Sequence, residues 1–272
     1  MSMSGTDAVF AGSIPEFYET RLVPLIFELY AADLAGRIAA LAPSRVLETA
    51  AGTGVVARAL ARALPAHVAL VATDLNQPML DHAATVGTAR PVTWQKADAM
   101  QLPFDDASFD VVACQFGVMF FPDKARAFAE ARRVLRPGGT LVFNVWDRIE
   151  ENEFAAAVTD ALALVFPADP PRFMARTPHG YSDREAIARD LANGGFSASP
   201  RVETIAARSW AASARDPALA YCQGTPLRNE IEARAGATLA EATAACEAAI
   251  ARRFGAGPVD GKIQAHVVTV ER

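Results

Sequence analysis

Short apolar runs alternate with stretches of helical periodicity through the central part of the sequence. Each run ends in a polar residue or a turn, as buried strands do. The stretches between them repeat their apolar positions every three or four residues, as amphipathic helices do. This alternation predicts βαβ units and therefore a parallel sheet with helices on both faces. Strands are predicted at 46–48, 68–73, 92–96, 111–114 and 140–146.

The segments on either side of this central part have a different pattern. Apolar residues recur at helical spacing from Pro15 to Ala42, which predicts one or two helices before the first strand. Helix-forming residues also fill the stretch from Arg215 to Phe254, and a long insertion there is more often a substrate cap than a separate domain. We therefore predict an N-terminal helical cap (1–42), an α/β core (43–210 and 261–272, with cap segments within 147–199) and a helical insertion that forms a cap (211–260).

The first predicted strand ends in a carboxylate, Glu48, which a turn of small residues follows. Gly52 and Gly54 in this turn let a ligand lie against the backbone, and either can take positive φ. A strand, a tight loop and a helix form the unit in which open α/β sheets bind nucleotides. A carboxylate at the strand end would repel a pyrophosphate and attract a cationic amino-acid group. The pattern therefore favours S-adenosylmethionine over NAD.

Two further carboxylates follow the next two predicted strands. Asp74 comes directly after the second strand, where such folds hold ribose hydroxyls. Asp98 follows the third strand and precedes Ala99. Three carboxylates at three successive strand ends are a far more specific signal than the glycines alone.

These features resemble the class I S-adenosylmethionine-dependent methyltransferases, above all the branch with ubiquinone/menaquinone-biosynthesis-type and small-molecule enzymes. The resemblance covers about 45–146. It implies a Rossmann-like α/β fold with a seven-stranded, mostly parallel sheet, in which strands at 202–207 and 265–270 form one edge and the last is antiparallel. One residue departs from the pattern, because Ala50 stands where the family has its first loop glycine. The matching motifs are ETAAGTG (48–54), TDLN (73–76), ADA (97–99), LPF (102–104), SFD (108–110) and RVLRPGG (133–139).

The cofactor roles that we predict follow the strand ends. Glu48 is assigned to the methionine amino group, directly or through water, and it could also accept from backbone N–H groups of its own loop. Asp74 is assigned to the ribose hydroxyls, and Asp98 with the Ala99 amide to the adenine, unless Asp98 caps a loop. Ala50 is expected to fit a helical or extended conformation and to preserve binding. The cofactor set is Tyr18, Glu48, Ala50, Gly52, Gly54, Asp74, Leu75, Met79, Asp98, Ala99, Gln115 and Phe116.

The acceptor side is less clearly marked in the sequence. Phe120, Tyr181 and Trp210 are candidates to line an apolar substrate pocket, and Tyr18 could close over the cofactor as a lid or pack as an ordinary aromatic. His179 lies in a proline-rich loop that could present it to substrate as a base. Methyl transfer from a sulfonium needs mainly alignment and exclusion of water, so alignment without a base is the alternative.

Composition limits the classes of partner. A net charge of −5 and a pI of about 5.5 argue against a nucleic-acid partner, which needs clustered Lys and Arg. The sequence has no apolar run long enough to predict stable membrane insertion, and its first residues lack the features of a secretion signal. The three widely spaced cysteines favour a reducing cytoplasm, and no His and carboxylate spacing indicates a metal. We expect a cytoplasmic monomer or homodimer that acts on a small molecule.

Three hypotheses for function follow. The leading one is an enzyme that methylates an O, N or C nucleophile of a small organic metabolite by in-line SN2 transfer, with S-adenosylhomocysteine as product. A non-catalytic, S-adenosylmethionine-binding partner subunit is the second. An NAD-dependent oxidoreductase is the third. Residues 52–57 match the dinucleotide-binding motif G-x-G-x-x-G, but only with the alanine that is permitted at its last position.

Overall fold

A seven-stranded sheet forms the centre of the computed structural model, which describes Asp7, Phe10 and 12–272. The strand order β3-β2-β1-β4-β5-β7-β6 confirms the predicted Rossmann-like sheet. The strands are β1 (Arg45–Glu48), β2 (Ala69–Asp74), β3 (Thr93–Lys96), β4 (Phe109–Gln115), β5 (Leu135–Trp146), β6 (Arg201–Ala211) and β7 (Val259–Glu271).

The first five strands are parallel. β1 pairs with β2 on one side and with β4 on the other, and β2–β3 and β4–β5 extend the sheet in the two directions. The order of the chain therefore reverses between β1 and β4, and open α/β sheets bind ligands at the carboxyl ends of the strands beside such a point. β7 is antiparallel to β5, because Arg272 N donates to Gly139 O while Asp147 N donates to Gln264 O.

In the central part a helix follows β1, β2 and β4, as predicted, whereas 97–108 connect β3 to β4 without an α-helix. Two helices of the chain begin at aspartate caps, since Asp123 accepts from Arg126 N and Asp183 accepts from Glu185 N. The helices are α1 (Ile14–Phe17), α2 (Glu28–Ala40), α3 (Val55–Ala63), α4 (Gln77–Val86), α5 (Lys124–Val134), α6 (Glu153–Val165), α7 (Phe173–Arg176), α8 (Arg184–Asn193), α9 (Arg215–Gln223), α10 (Leu227–Glu232) and α11 (Leu239–Phe254).

Three local features differ from the expectations drawn from the sequence. The segment Tyr18–Phe27 between α1 and α2 is a π-helix that contains Pro24, so 14–40 is helical throughout. β5 begins directly after α5, before the Pro137-Gly138-Gly139 turn, and its pairing with β4 shifts between Phe109 and Val111 to accommodate the turn as a bulge. The proline-rich stretch after α6 contains the short helix α7.

The chain divides into two compact units, which we describe separately. The first comprises the described part of Met1–Phe27 with Trp146–Gly180 and Ile205–Ala265. The second comprises Glu28–Val145, Tyr181–Thr204 and His266–Arg272. The second unit contains β1 to β4 and nearly all of β5, so the carboxyl ends of β1 to β4 lie within it. Across the described residues, no helix combines the length and apolar character needed to cross a bilayer.

Candidate functional site

The loop after β1 folds back sharply over the carboxyl end of the sheet. Ala50, Gly52 and Gly54 have φ angles of +52°, +55° and +85°. Ala51 N donates to Thr73 O at 2.9 Å, which fixes the loop to β2. The expectation that Ala50 takes a helical or extended conformation is therefore wrong. The left-handed conformation costs a residue with a Cβ about 1–2 kcal/mol, and the surrounding contacts stabilise it.

Asp74 connects this loop to the end of β2. Its Oδ2 accepts from Gly52 N and its Oδ1 accepts from Asn76 N, each at 2.8 Å. The side chain is only 7% exposed, and burial raises the pKa of its carboxyl. Oδ1 also accepts from Asn76 Nδ2 at 3.4 Å. A ligand hydroxyl can therefore bind Oδ2 beside Gly52 N, or bind Oδ1 in place of this longer contact. Its predicted ribose role stays a prediction, and its structural role in holding the glycine loop is an addition.

Glu48 is a buried carboxyl with incomplete hydrogen bonding. It is 3% exposed, and its Oε2 has no partner among the described residues. Burial, with a smaller contribution from Asp74, raises the pKa of Glu48 to about 8, while the Ala57 amide and Arg58 oppose the shift. The attraction of a cationic group predicted from the sequence requires this carboxylate to be ionised. In the ligand-free protein at neutral pH it is mostly protonated, and a cation beside Oε2 would favour its ionised form.

The end of β3 supplies the third carboxylate. Asp98 Oδ1 accepts from Met100 N at 2.8 Å and closes a tight turn, which is the alternative role foreseen for it. Its predicted contact with adenine, together with Ala99, stays a prediction. Leu75 is exposed just after β2, and Met79 is buried in the first turn of α4.

Gly54 is required by the packing of β3, which sequence reasoning did not foresee. A Cβ at Gly54 would lie 2.7 Å from Trp94 Cη2 and 3.2 Å from Ala83 Cβ. The indole of Trp94, on β3, therefore packs directly against the end of the loop. Either clash would displace the backbone that the loop presents to a ligand.

A second tight loop follows β4 and packs on the first one. A Cβ at Gly117 would lie 2.5 Å from Ala50 Cβ and 2.7 Å from Cys114 Sγ. Phe116 has a φ of +50°, and its ring meets Tyr30 edge-on with centroids 5.3 Å apart. Tyr30 could not be found from the sequence, since its place on α2 resembles that of any buried helical residue. The structure therefore brings the predicted residues after β1 and β4 together.

The three predicted substrate residues have different surroundings. Phe120 is half-buried in the 3₁₀ turn after β4. Tyr181 donates its hydroxyl to Asp190 Oδ2 at 2.7 Å, and Lys124 Nζ lies 4.7 Å from the centre of its ring. Trp210 is 63% exposed on β6, in the first unit. Their contact with substrate stays a prediction.

Tyr18 lies in the π-helical segment of the first unit. Its ring stacks on Phe27 with centroids 5.1 Å apart and meets Phe10 edge-on at 6.0 Å. The side chain thus makes the packing contacts of the alternative foreseen for it. Its role as a lid stays a prediction.

His179 is not presented by an open loop, contrary to the expectation drawn from the proline-rich sequence. The side chain is 7% exposed, and its Nδ1 lies 2.8 Å from Asp147 O. Since a carbonyl only accepts, Nδ1 carries the proton in this contact. Burial lowers the pKa of His179 to about 4, and the Trp146 ring lies 6.1 Å away. These contacts are those of a packed, neutral imidazole.

We expect His179→Ala to lower stability by roughly 1–3 kcal/mol, because it leaves the Asp147 carbonyl without its donor. Because the pKa of His179 is lowered, its neutral form contributes stability that is complete above pH 6.5 and is lost as the pH falls toward 4. The stability of the variant should not depend on pH in this way. Chemical denaturation at several pH values measures both effects. The exposed His67→Ala serves as control. A roughly 10²–10⁴-fold loss of methyl transfer at unchanged stability would instead assign His179 as a base.

Comparison with known proteins identifies the central part of the chain. Residues 47–143 match a family model described as a methyltransferase domain. The chain is 32% identical over 164 residues to a ubiquinone/menaquinone biosynthesis C-methyltransferase UbiE of Ralstonia pickettii, covering 56% of this chain and 67% of that protein. It is 43% identical over 102 residues to a demethylmenaquinone methyltransferase of Deinococcus radiodurans. That second match spans only 42% of the relative and 37% of this chain.

Solved structures show the same fold. The YcgJ protein of Bacillus subtilis superposes with a TM-score of 0.55 at 17% identity, covering 88% of this chain and 98% of that one. A SAM-dependent methyltransferase from Aquifex aeolicus superposes with a TM-score of 0.50 at 16% identity, covering 71% and 91%. At these identities the likeness extends to the fold alone.

Proposed function

Because the chain belongs to the class I S-adenosylmethionine-dependent methyltransferases, we propose that it transfers a methyl group from S-adenosylmethionine to a small organic molecule. The observation that carries this proposal is the arrangement of Glu48 and Asp74 around the loop after β1. One carboxyl is buried with an unpartnered oxygen, and the other holds the loop through Gly52 N. A nucleoside that carries a cationic amino-acid chain needs both.

The residues at the strand ends fit this cofactor. Glu48 Oε2 is a buried acceptor that an ammonium group would satisfy. The Asp74 carboxylate would accept from one ribose hydroxyl at Oδ2 and from the other at Oδ1, in place of the 3.4 Å contact with Asn76 Nδ2. Asp98 and Ala99 would meet the adenine, with Leu75 and Met79 as apolar contacts. Gln115 and Phe116 would border the methionine chain. All these residues belong to the second unit.

The chain's own contribution to the reaction is alignment. When bound, S-adenosylmethionine supplies a methyl group on a positively charged sulfur that leaves as a neutral thioether. The protein has to hold the acceptor in line with that bond and exclude water. Such alignment lowers the activation barrier by about 7–11 kcal/mol in well-oriented systems. The loops after β1 and β4, which pack closely at Ala50 and Gly117, are suited to this task.

For the acceptor we propose a hydroxylated ring compound of the hydroquinone type. The relatives are named for methylating demethylmenaquinone and for C-methylation in ubiquinone and menaquinone biosynthesis. A quinone ring is electrophilic, so the methyl group can be transferred only to the reduced, electron-rich hydroquinone. A ring carbon forms its bond to the methyl group as the carbon–sulfur bond breaks, and the proton on that carbon is then lost to water as the ring regains its aromaticity. The aromatic pair Tyr30 and Phe116 beside the site is compatible with such a ring.

The remaining expectations accompany this proposal. We propose that the helical segments 1–42 and 211–260 act as caps, and that Phe120, Tyr181 and Trp210 contribute to acceptor binding. We also propose that the protein works in the cytoplasm as a monomer or homodimer, without a nucleic-acid partner or stable membrane insertion.

Methyl-labelled cofactor tests the proposed reaction. The purified protein is incubated with methyl-tritiated S-adenosylmethionine and short-chain demethylmenaquinone, with or without prior reduction by dithionite. We expect label in the extracted quinone only in the reduced sample. Transfer to simple phenols, with none to the hydroquinone, would overturn the acceptor class. Cofactor binding without transfer to any small molecule would favour the partner-subunit hypothesis.

A further inference from the structure

Asn144, near the carboxyl end of β5, is an unusual polar residue in the core of the second unit. Its side chain is 0% exposed, yet neither Oδ1 nor Nδ2 has a hydrogen-bond partner among the described residues. Its backbone takes part in the sheet, where its carbonyl accepts from Phe116 N at 3.0 Å. Burying both a donor and an acceptor without partners costs free energy that a leucine at this position would avoid. The amide is therefore poorly explained by the stability of the fold.

The register of the sheet shows which way this amide points. Asn144 pairs with Gln115 on β4, and Ala113 pairs with Glu48 on β1. Paired residues on parallel strands share a face, and so do residues two positions apart on one strand. Glu48, Gln115 and Asn144 therefore lie on one face of the sheet near the carboxyl ends of their strands.

The opposite face is closed by packing. The neighbour of Asn144 in sequence, Phe143, packs against Phe128 of α5 with centroids 5.3 Å apart. Glu48, by contrast, accepts from the Ala57 amide of α3. The amide of Asn144 is thus directed away from α5, to the face that carries α3 and the predicted cofactor residues.

The order of strands places Asn144 beyond the cofactor. Asp74, Glu48 and Gln115 end β2, β1 and β4, and these three are assigned in that order to the ribose, the amino group and the methionine chain. β5 is the next strand, roughly 5 Å further along the sheet. A side chain there lies past the sulfur end of the cofactor, where the methyl acceptor has to be.

We propose that Asn144 is a positioning residue that hydrogen-bonds a hydroxyl group of the methyl acceptor. This inference rests on the proposed function. A ring hydroxyl donates to Oδ1 and accepts from Nδ2, so one group of a hydroquinone satisfies both amide atoms. Fixing that hydroxyl orients the neighbouring ring carbon toward the methyl group. Substrates without the hydroxyl would leave the amide unpaired and bind poorly.

Asn144→Leu, which keeps the branching and the number of side-chain heavy atoms and removes both polar atoms, tests the proposal. We expect its Tm to stay equal or rise by a few degrees, because an unsatisfied amide is removed. Calorimetry should show an S-adenosylhomocysteine Kd within about twofold of wild type. With reduced short-chain demethylmenaquinone, kcat/KM should fall roughly tenfold to a hundredfold. Phe143→Leu, on the opposite face, is the control and should lower Tm while leaving the KM of the acceptor unchanged.

Each other outcome counts against the proposal. A fall in Tm with unchanged KM would make Asn144 a structural residue. A loss of S-adenosylhomocysteine affinity equal to the loss of kcat/KM would place it at the cofactor. If the wild type is active and the variant has unchanged kinetics, Asn144 does not contact the acceptor, and the proposed function still holds. Inactive wild type that still binds the cofactor would overturn the acceptor class and the role of Asn144 together.

Discussion

Asp74→Ala is expected to weaken S-adenosylmethionine binding by at least 1–3 kcal/mol, roughly tenfold to a hundredfold, because it removes charged hydrogen bonds to two hydroxyls. The structure adds a second cause, since the same carboxylate accepts from Gly52 N and Asn76 N at 2.8 Å. The variant should therefore also loosen the loop after β1. Isothermal titration calorimetry measures the affinity. The exposed Asp81→Ala, nearby on α4, is the matched control.

A deoxy ligand separates the two causes. Wild type should bind 2′-deoxy-S-adenosylhomocysteine more weakly than S-adenosylhomocysteine, and Asp74→Ala should bind the two almost equally. The coupling between the substitution and the missing hydroxyl then measures the direct contact. If the variant still distinguishes the two ligands as wild type does, Asp74 acts only through the loop. If it binds S-adenosylmethionine as wild type does, the site is misplaced.

Binding of S-adenosylmethionine at pH 7 is expected to release close to one proton, because Glu48 has to ionise beside the cationic amino group. The pKa of the buried carboxyl is raised to about 8 in the ligand-free protein, so it is mostly protonated before binding. Calorimetric titrations in buffers of different ionisation enthalpy give the number of protons released. Glu48→Gln should bind the cofactor roughly tenfold to a hundredfold more weakly and release none.

The same carboxyl makes the stability of the ligand-free protein depend on pH. Its native pKa lies above the unfolded value near 4.5, so the stability it contributes is complete at acid pH and is lost as the pH rises toward 8. Glu48→Gln should lack this loss and be more stable than wild type above pH 8, by roughly 1–4 kcal/mol. The exposed Glu28→Gln is the control. Proton release that persists in Glu48→Gln would assign the linkage to another group.

The strand-end carboxylates could be predicted from the sequence because they depend on local pattern. Glu48 follows an apolar run and precedes a turn of small residues, and Asp74 stands at the end of the next predicted strand. In a parallel sheet such positions share one edge whatever the distant packing is. The same local pattern explains why the mostly parallel sheet is confirmed.

The features that depend on distant contacts could not be predicted. Ala50 takes a positive φ in a loop that packs against Gly117, which is far away in sequence. His179 lies in a stretch with the composition of an exposed loop, but its ring is buried against Trp146. Asn144 stands in an apolar run, and its unpaired amide is visible only once β5 is placed beside β4.

Direct titration of the purified protein with S-adenosylmethionine, S-adenosylhomocysteine and NADH is the most direct test of the central claim. The arrangement of Glu48, Asp74 and Asp98 predicts micromolar dissociation constants for the first two ligands and far weaker binding of NADH. Glu48→Gln and Asp74→Ala should each weaken the first two without improving the third. Tight binding of NADH together with no binding of S-adenosylmethionine would contradict the assignment of this site and the methyltransferase function with it.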